Sequence, residues 1–230
     1  MNTTTKRFLK VLLVLIIASI GAYKTLSIQE RELDNSTIGV QAVASPAGEV
    51  LATIEIKGRA PKTGYTREAF GGSWERIDDC DMRNYILARD LTETTFVAPS
   101  CKVASGTLLD PYSGKTIYFN RGAETSDDVQ IDHVVALSDA WQKGAQQLSY
   151  DQRVALANDP LELLAVDGAL NQQKADSDAA TWLPPNKAYR CAYVARQVAV
   201  KKKYSLWMTR SEYDAIAGIL ATCPQQMIPT

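Results

Sequence analysis

The sequence predicts an α+β fold, and three observations lead to this prediction. Two capping boxes, Ser149-Tyr-Asp-Gln152 and Thr209-Arg-Ser-Glu212, each mark the start of a helix. The turn Asp110-Pro-Tyr-Ser-Gly114 precedes residues 115–119, which predict the second arm of a hairpin. Strand and helix patterns are mixed along the chain and do not alternate as the βαβ units of a parallel sheet.

Three further elements are predicted in the first half of the chain. Residues 51–56 alternate apolar and polar side chains, which predicts a short strand. Residues 80–91 predict a helix that has Asp78 or Asp79 near its N-terminal cap. Residues 129–137 predict another strand.

The second half of the chain predicts a strand followed by helices. Residues 161–166 form an apolar run typical of a strand, and Asp167-Gly168 turns it into a helix over residues 170–175. Pro184-Pro185 are expected to start a long helix that runs to residues 201–203, because proline is favoured in the first helical turn.

The N-terminus has the pattern of an export signal. Lys6, Arg7 and Lys10 precede an apolar run over residues 11–22, as a positively charged n-region precedes an h-region. The run is shorter than the roughly 20 residues that a membrane-spanning helix needs. Residues 1–23 are therefore predicted to be a signal peptide, with an N-terminal membrane anchor as the alternative.

A tether is predicted between the export signal and the folded domain. Residues 24–50 are small and polar, end near Ser45-Pro-Ala-Gly48, and show no sustained helical or strand period. The folded domain is then expected over residues 51–225. The export signal places that domain outside the cytoplasm, either secreted or anchored at the outer face of the cell membrane.

The four cysteines agree with export. Cys80, Cys101, Cys191 and Cys223 form no C-x-x-C pair, which excludes zinc-ribbon and thioredoxin spacing. Two disulfides are the natural prediction for a chain that meets oxidising conditions. Of the three pairings, Cys80–Cys101 and Cys191–Cys223 are favoured because each joins sequence neighbours, and four free buried thiols are the alternative.

Positive charge is concentrated towards the C-terminus, although the formal net charge is −1. Residues 171–210 hold eight basic and two acidic side chains, which would attract a polyanion locally. The candidate substrate-binding residues are Arg190, Arg196, Lys201, Lys202 and Lys203. The alternative is a solvated helix face, with lysines at the C-terminal end where the helix dipole favours cations.

The chain contains a single histidine, His133, which follows Asp132. Histidine has an ordinary pKa near neutral pH and therefore suits proton transfer. In a regular strand the two side chains would lie on opposite faces, so a strand end or bulge is needed to bring them to one site. A histidine considered alone is more often structural than catalytic.

Two downstream segments complete a pattern with Asp132-His133. Residues 158–164 give N-x-x-L-x-L-L, and residues 171–176 give N-x-x-K-x-D. Together they resemble the HNH (His-Me finger) endonucleases, and more closely a branch of exported bacterial HNH proteins known as a domain of unknown function. The closer resemblance covers about residues 64–219 and rests on longer segments at 80–84, 105–114, 131–141 and 180–191.

The resemblance implies a ββα-metal core, in which two strands and a helix surround one divalent metal, with additional helices, a small β-hairpin region and disulfides. By position, it implies that His133 is the general base and that Asp132 and Asn171 hold the metal. Asn158 would hold the loop that orients the base. Asn171 stands where many relatives have histidine, so the site has only oxygen ligands and suits Mg²⁺ or Mn²⁺ better than Zn²⁺.

Lys174 lies three residues after Asn171 on the predicted helix and shares its face, so it is expected to reach the phosphate. The structural alternatives are a cap or turn at Asn158 before Pro160 and a surface position for Lys174.

The resulting hypothesis is a metal-dependent endonuclease that acts on nucleic acid, with DNA favoured over RNA. One alternative is a non-catalytic, disulfide-braced binding domain at the cell surface. A serine hydrolase is a weaker alternative, because no G-x-S-x-G motif is present and Ser73 in Gly71-Gly-Ser-Trp74 does not match it.

Overall fold

The computed structural model describes residues 45–123 and 125–229. The predicted signal peptide and residues 24–44 of the predicted tether lie outside these described residues. Within them, no helix is both long enough and apolar enough to cross a membrane.

The first described element is a helix, α1 (Pro46–Leu51), where the sequence predicted the end of a tether. The Ser45 hydroxyl caps it by accepting a hydrogen bond of 2.9 Å from the Gly48 amide, and Pro46 occupies the first turn. Ala47 and Leu51 lie four residues apart on one buried helix face. Residues 46–50, which the sequence assigned to the tether, are therefore helical and contribute to the core.

The predicted strand over residues 51–56 is wrong. Leu51 ends α1, and only Ile56 forms a β-bridge, with Met208. The alternation of apolar residues in this segment arises because Leu51 and Ile54 are both buried around a helix end.

Next comes a small β-hairpin that leads into a helix. Strands β1 (Arg76–Ile77) and β2 (Cys80–Asp81) pair antiparallel, and α2 (Met82–Asp90) follows directly. The α2 helix matches the predicted one, but its cap is Asp81, whose carboxylate accepts a hydrogen bond of 2.8 Å from the Asn84 amide.

A three-stranded antiparallel sheet follows, with the order β3 (Thr92–Phe96), β4 (Val103–Leu109), β5 (Thr116–Asn120). The predicted turn joins β4 to β5. The Asp110 carboxylate fixes this turn because it accepts hydrogen bonds from the amides of Tyr112 and Ser113. The predicted hairpin is confirmed.

A second antiparallel hairpin and the helix after it make up the middle of the domain. Strand β6 (Val129–His133) pairs with β7 (Leu163–Asp167) in a regular register that places His133 opposite Leu163, and α5 (Gly168–Lys174) follows β7. Two helices lie in the connection between the strands: α3 (Leu137–Gln142) and α4 (Tyr150–Ala157). The predicted strand at 129–137 therefore ends four residues early.

The capping box before α4 is present in full, with Ser149 and Gln152 each bonding the other's amide. The two C-terminal helices are α6 (Arg190–Lys203) and α7 (Arg210–Leu220). Helix α6 begins after a 3₁₀ turn, five residues beyond the predicted start at Pro185. Thr209 caps α7, but the Glu212 carboxylate does not return to complete a capping box.

The hairpin of β6 and β7 lies between two hydrophobic cores. Leu164 and Val166 of β7 belong to the larger core, which also contains α1, α6 and α7. Leu163 and Ala165 belong to the smaller core with α2 and the three-stranded sheet. Since β7 is buried on both faces, its backbone position is fixed from both sides. The fold is α+β, as predicted.

Two disulfides brace the fold in the predicted pairing. Cys80–Cys101 joins β2 to the segment before β4, and Cys191–Cys223 joins the start of α6 to the segment after α7. Both bridges lie outside the β6–β7–α5 unit.

A buried ion network holds the larger core together. It comprises three cations and three carboxylates: Arg59, Lys143, Lys201, Asp139, Asp178 and Glu212. The Lys143 ammonium is fully buried and lies 2.6–2.8 Å from all three carboxylates. Burial lowers the pKa of Lys143, but the carboxylates of Glu212 and Asp139 outweigh that effect and raise the pKa above its ordinary value. Glu212 is engaged here, which explains why it does not cap its own helix.

Replacing Lys143 with Met should lower the free energy of unfolding by about 3–5 kcal/mol, because three buried carboxylates would then share two cations. Urea unfolding of the oxidised protein measures this change. Lys57→Met is the matched control: its ion pair with Glu55 is exposed, so the expected change is below about 1 kcal/mol. Equal effects of the two substitutions would contradict a structural role for the network.

Candidate active site

The β6–β7–α5 unit carries four of the predicted site residues: Asp132, His133, Asn171 and Lys174. Helix α5 starts immediately after β7 because the Asp167 carboxylate caps it, accepting a hydrogen bond of 2.9 Å from the Leu170 amide. Gly168 permits the sharp connection: a Cβ at this position would lie 1.9 Å from the Asp127 carbonyl oxygen. The helix is thereby set against β6, and Asn171 and Lys174 lie near Asp132 and His133.

Asp132 is buried and receives two strong donors. The Lys174 ammonium lies 2.9 Å from Oδ1, and the Tyr112 hydroxyl donates to Oδ2 at 2.5 Å. Burial raises the pKa of the Asp132 carboxyl, while Lys174 and Tyr112 oppose that rise. The carboxylate therefore has a fixed position, and Lys174 balances its charge.

His133 ends β6 and is oriented by contacts on two sides. Its Nε2 lies 2.9 Å from the Ala157 carbonyl oxygen, and its ring stacks on Trp74 with 5.6 Å between centroids and an angle of 5° between planes. A carbonyl oxygen only accepts hydrogen bonds, so Nε2 carries the proton and Nδ1 has a free lone pair. Burial, followed by the charge of Arg67, lowers the pKa of His133 to about 3.

Asn171 lies on the first turns of α5. Its Nδ2 donates to Gln130 Oε1 at 2.9 Å. That bond fixes the amide and leaves Oδ1 without a hydrogen bond to any residue that the structure describes. An amide oxygen of this kind is a suitable ligand for a hard cation.

Asn158 is buried and links two segments. Its Oδ1 accepts a hydrogen bond of 2.9 Å from the Glu75 amide, and its Nδ2 donates to the Val154 carbonyl at 3.0 Å. Glu75 follows Trp74, the residue stacked on His133, and Asn158 follows Ala157, which bonds the same ring. Asn158 thus holds both segments that contact the histidine.

Two clefts meet at His133. The polar cleft, about 300 Å³ in volume, is lined by side chains that include Asp132, His133, Asn171 and Asp176. The aromatic cleft, about 140 Å³, shares His133 with the polar cleft and is lined by side chains that include Phe70 and Trp74. The end of β6 allows Asp132 and His133 to line the same polar cleft, as the sequence hypothesis required.

Lys174 does not lie where the sequence prediction placed it. Its ammonium is fully buried and contacts Asp132 Oδ1 and the His133 carbonyl oxygen at 2.9 and 2.8 Å. A lysine that lies under the carboxylate is not free to reach a phosphate. Its position on the Asn171 face of the helix was predicted, but its burial was not.

Three of the five predicted substrate-binding residues are engaged by partners inside the protein. Lys201 is fully buried, 2.9 Å from the Glu212 carboxylate, so it is not a surface residue and the sequence expectation for it is corrected. Arg190 and Arg196 are half-buried and donate through Nε to the carbonyl oxygens of Pro184 and Leu161. Backbone acceptors therefore engage both guanidinium groups.

Lys202 and Lys203 are exposed, as a substrate contact requires. Lys202 donates to the Thr53 hydroxyl, and Lys203 forms an ion pair of 2.6 Å with Asp159. Neither side chain lines the two clefts that meet at His133.

Sequence reasoning missed three residues of the site: Arg67, Trp74 and Tyr112. Arg67 is exposed and lines both clefts. Trp74 stacks on His133, and Tyr112 lies in the turn between β4 and β5, from which its hydroxyl reaches Asp132. The segment 105–114 did carry a family resemblance, but nothing in its pattern indicates that its tyrosine contacts Asp132.

Among the described residues, no group of three or more His, Cys, Asp or Glu side chains could hold a metal ion. The oxygen-bearing side chains that line the polar cleft include those of Asp132, Asn171 and Asp176.

The chain is similar to known proteins over most of its folded part. The family described as "GmrSD restriction endonucleases, C-terminal domain" matches residues 81–219. An "Uncharacterized secreted protein" of Arthroderma benhamiae is 37% identical over 183 residues, which cover 78% of this chain and 86% of that protein. This relative is fungal, whereas the motifs resemble bacterial proteins. No solved structure matches the chain.

The single histidine gives a direct test of the site's electrostatics. In metal-free protein, the imidazole signals of His133 should not shift between pH 7.5 and about 4.5, because burial lowers its pKa to about 3. Two-dimensional NMR of the ring carbons and nitrogens measures this, and the nitrogen shifts report whether Nε2 carries the proton. A titration midpoint near the ordinary 6.5 would contradict the described environment.

The same burial affects stability in a defined direction. Unfolded His133 binds a proton below about pH 6.5, whereas the folded protein does not until about pH 3. This group therefore favours the folded state above pH 6.5, and its contribution is lost as pH falls, by at most about 1.4 kcal/mol per pH unit.

Proposed function

The chain belongs to the family of GmrSD restriction endonuclease C-terminal domains, and on this basis we propose that it is a metal-dependent endonuclease that hydrolyses phosphodiester bonds of nucleic acid. The observation that carries the proposal is the convergence of Asp132, His133 and Asn171 on one polar cleft. Strands β6 and β7 also pair with each other across a connection that holds two helices, and α5 follows β7, which agrees with the strand–strand–helix arrangement of an HNH core.

His133 acts as the general base through Nδ1. The Ala157 carbonyl fixes the Nε2–H tautomer, and the Trp74 ring restricts rotation of the imidazole. Because the pKa is lowered to about 3, the ring is neutral at physiological pH and its lone pair is available. A phosphodiester in the cleft brings a negative charge close to the ring, which raises the pKa and strengthens the base when substrate is present.

Asp132 and Asn171 are proposed to hold one divalent metal, Mg²⁺ or Mn²⁺. Lys174 donates to one Asp132 oxygen and Tyr112 to the other, and an ionised carboxylate offers about four acceptor sites, so acceptor capacity remains for a cation. Asn171 Oδ1 supplies a second oxygen. A small all-oxygen donor set fits Mg²⁺, which keeps several water ligands and binds substrate phosphate directly.

When bound, a divalent metal would supply charge stabilisation for the phosphoryl group and the leaving oxygen. Lys174 contributes indirectly, because its ammonium sets the position of both Asp132 and the His133 backbone. Since Lys174 already balances the Asp132 charge, the site attracts a cation weakly until substrate phosphate adds negative charge.

We place this activity outside the cytoplasm. Two disulfides brace the domain, and a relative that covers most of the chain is described as secreted. The predicted signal peptide or anchor at residues 1–23 would direct that location. DNA is the proposed substrate in preference to RNA.

His133→Gln should lower kcat by about 10²–10⁴-fold, because glutamine keeps the size of the side chain but cannot take the proton from water. Digestion of plasmid DNA by the oxidised domain in Mg²⁺ measures this loss, and near-ultraviolet circular dichroism checks the fold.

Asn171→Ala should behave differently and raise the Mg²⁺ concentration needed for half-maximal cleavage. EDTA should abolish wild-type activity, and Mg²⁺ or Mn²⁺ should restore it. Full turnover by the His133 variant would refute the mechanism.

Lys202 and Lys203 remain proposed contacts for phosphates beyond the cleft. Replacing both with Gln should reduce the salt dependence of duplex binding by about 0.9 per lost contact. KM should rise while kcat stays constant, because such contacts are equal in the ground and transition states. Unchanged salt dependence would assign these lysines to intramolecular contacts with Thr53 and Asp159 alone.

A further inference from the structure

The mechanism above places no ligand in the aromatic cleft, although His133 forms part of its wall. His133, Arg67 and Leu137 line both the polar and the aromatic cleft. A group bound in the aromatic cleft would therefore lie beside a phosphodiester bound in the polar cleft.

The floor of the aromatic cleft is apolar and well packed. Phe70, Leu137 and Ala157 are each at most 5% exposed. Trp74 forms a wall and is itself held by its stack on His133. These surfaces suit a flat apolar ring, because aromatic side chains in nucleic-acid-binding proteins stack on bases.

The remaining wall is a turn with a fixed shape. Gly71 and Gly72 have φ angles of +94° and +71°, which strain any other residue. A Cβ at Gly71 would also lie 3.3 Å from Val154. The turn carries Ser73, an exposed cleft residue whose hydroxyl makes no hydrogen bond with the described part of the chain.

Arg67 provides the charge at the junction of the clefts. Its guanidinium is exposed and forms no hydrogen bond or ion pair with any described residue. Most other arginines of the domain are bound to carbonyl oxygens or carboxylates, as Arg89, Arg153 and Arg196 are. A guanidinium without such partners, at the junction of two clefts, is suited to bind a phosphate of the backbone that would connect groups bound in the two clefts.

We propose that the aromatic cleft binds the nucleobase adjacent to the scissile phosphate, with Arg67 on the connecting backbone, so that the enzyme cuts at an unpaired nucleotide. The inference rests on the proposed nuclease function and specifies its substrate as single-stranded or locally unpaired DNA. The floor of the cleft consists of buried side chains, so a base can contact it only after leaving a double helix. Turning a base out of a duplex requires unstacking and unpairing, which a single strand largely avoids.

A substitution that fills the aromatic cleft tests the proposal. The phenylalanine of Ser73→Phe should occupy the space of the base. The matched control is Ser211→Phe, because Ser211 is an exposed residue of α7 that lines neither cleft. Three substrates are compared under the same Mg²⁺ conditions: a single-stranded oligonucleotide, the same sequence as a duplex, and methyl p-nitrophenyl phosphate, a diester without a base.

Wild-type enzyme and the Ser211 variant should cut the single strand at least about tenfold faster than the duplex. Ser73→Phe should remove most of that preference and leave hydrolysis of the small diester unchanged. Cleavage of the single strand by Ser73→Phe at the wild-type rate, or no strand preference in the wild type, would overturn the inference.

A substrate change provides a second test that does not depend on folding of a variant. An abasic residue next to a defined cleavage position should slow wild-type cleavage there by about tenfold. Equal cleavage with and without the base would overturn the base subsite while leaving the nuclease proposal intact. Wild-type enzyme that hydrolyses neither DNA nor the small diester would refute the nuclease function, and the subsite with it.

Discussion

The Lys174 ammonium is the group on which the geometry of the site depends. It joins helix α5 to strand β6 by contacting both the Asp132 carboxylate and the His133 carbonyl oxygen, entirely out of solvent. Loss of one partner of such a buried pair leaves a charge unpaired, at a cost of about 3–5 kcal/mol. The same contact removes the net charge of Asp132. A buried cation thus decides both where the acidic side chain lies and how much negative charge this part of the polar cleft carries.

The local parts of the fold were predictable because local chemistry determines them. The Asp110–Gly114 turn and the Ser149 capping box both depend on residues within four positions of each other. Glu212 shows where this reasoning fails: its spacing from Thr209 predicts a capping box, but two lysines from α6 and the end of α3 bind its carboxylate. The strand predicted at 51–56 was wrong for a different reason: side chains buried around a helix end gave an apolar alternation that resembles a strand.

The candidate site shows the same division. The motif singled out Asp132, His133 and Asn171, and the pairing of β6 with β7 followed by α5 brings the three side chains to one cleft. It could not place Arg67 or Trp74, which reach His133 from a distant segment and lie outside the pattern. A count of charges along the sequence likewise cannot show which lysines are buried. Lys174 and Lys201 are buried because the fold brings a carboxylate to each of them.

The contacts of His133 have a consequence for the order in which the chain folds. Its ring is held by the end of α4, which is 24 residues away, and by the segment that contains Trp74, while Asp132 depends on partners 20 and 42 residues distant. Contacts between distant residues form only after the intervening loops have closed, and loop closure is entropically unfavourable. The His133 ring thus becomes oriented late, after both cores have brought these segments together. An unfolded chain therefore has no assembled cleft.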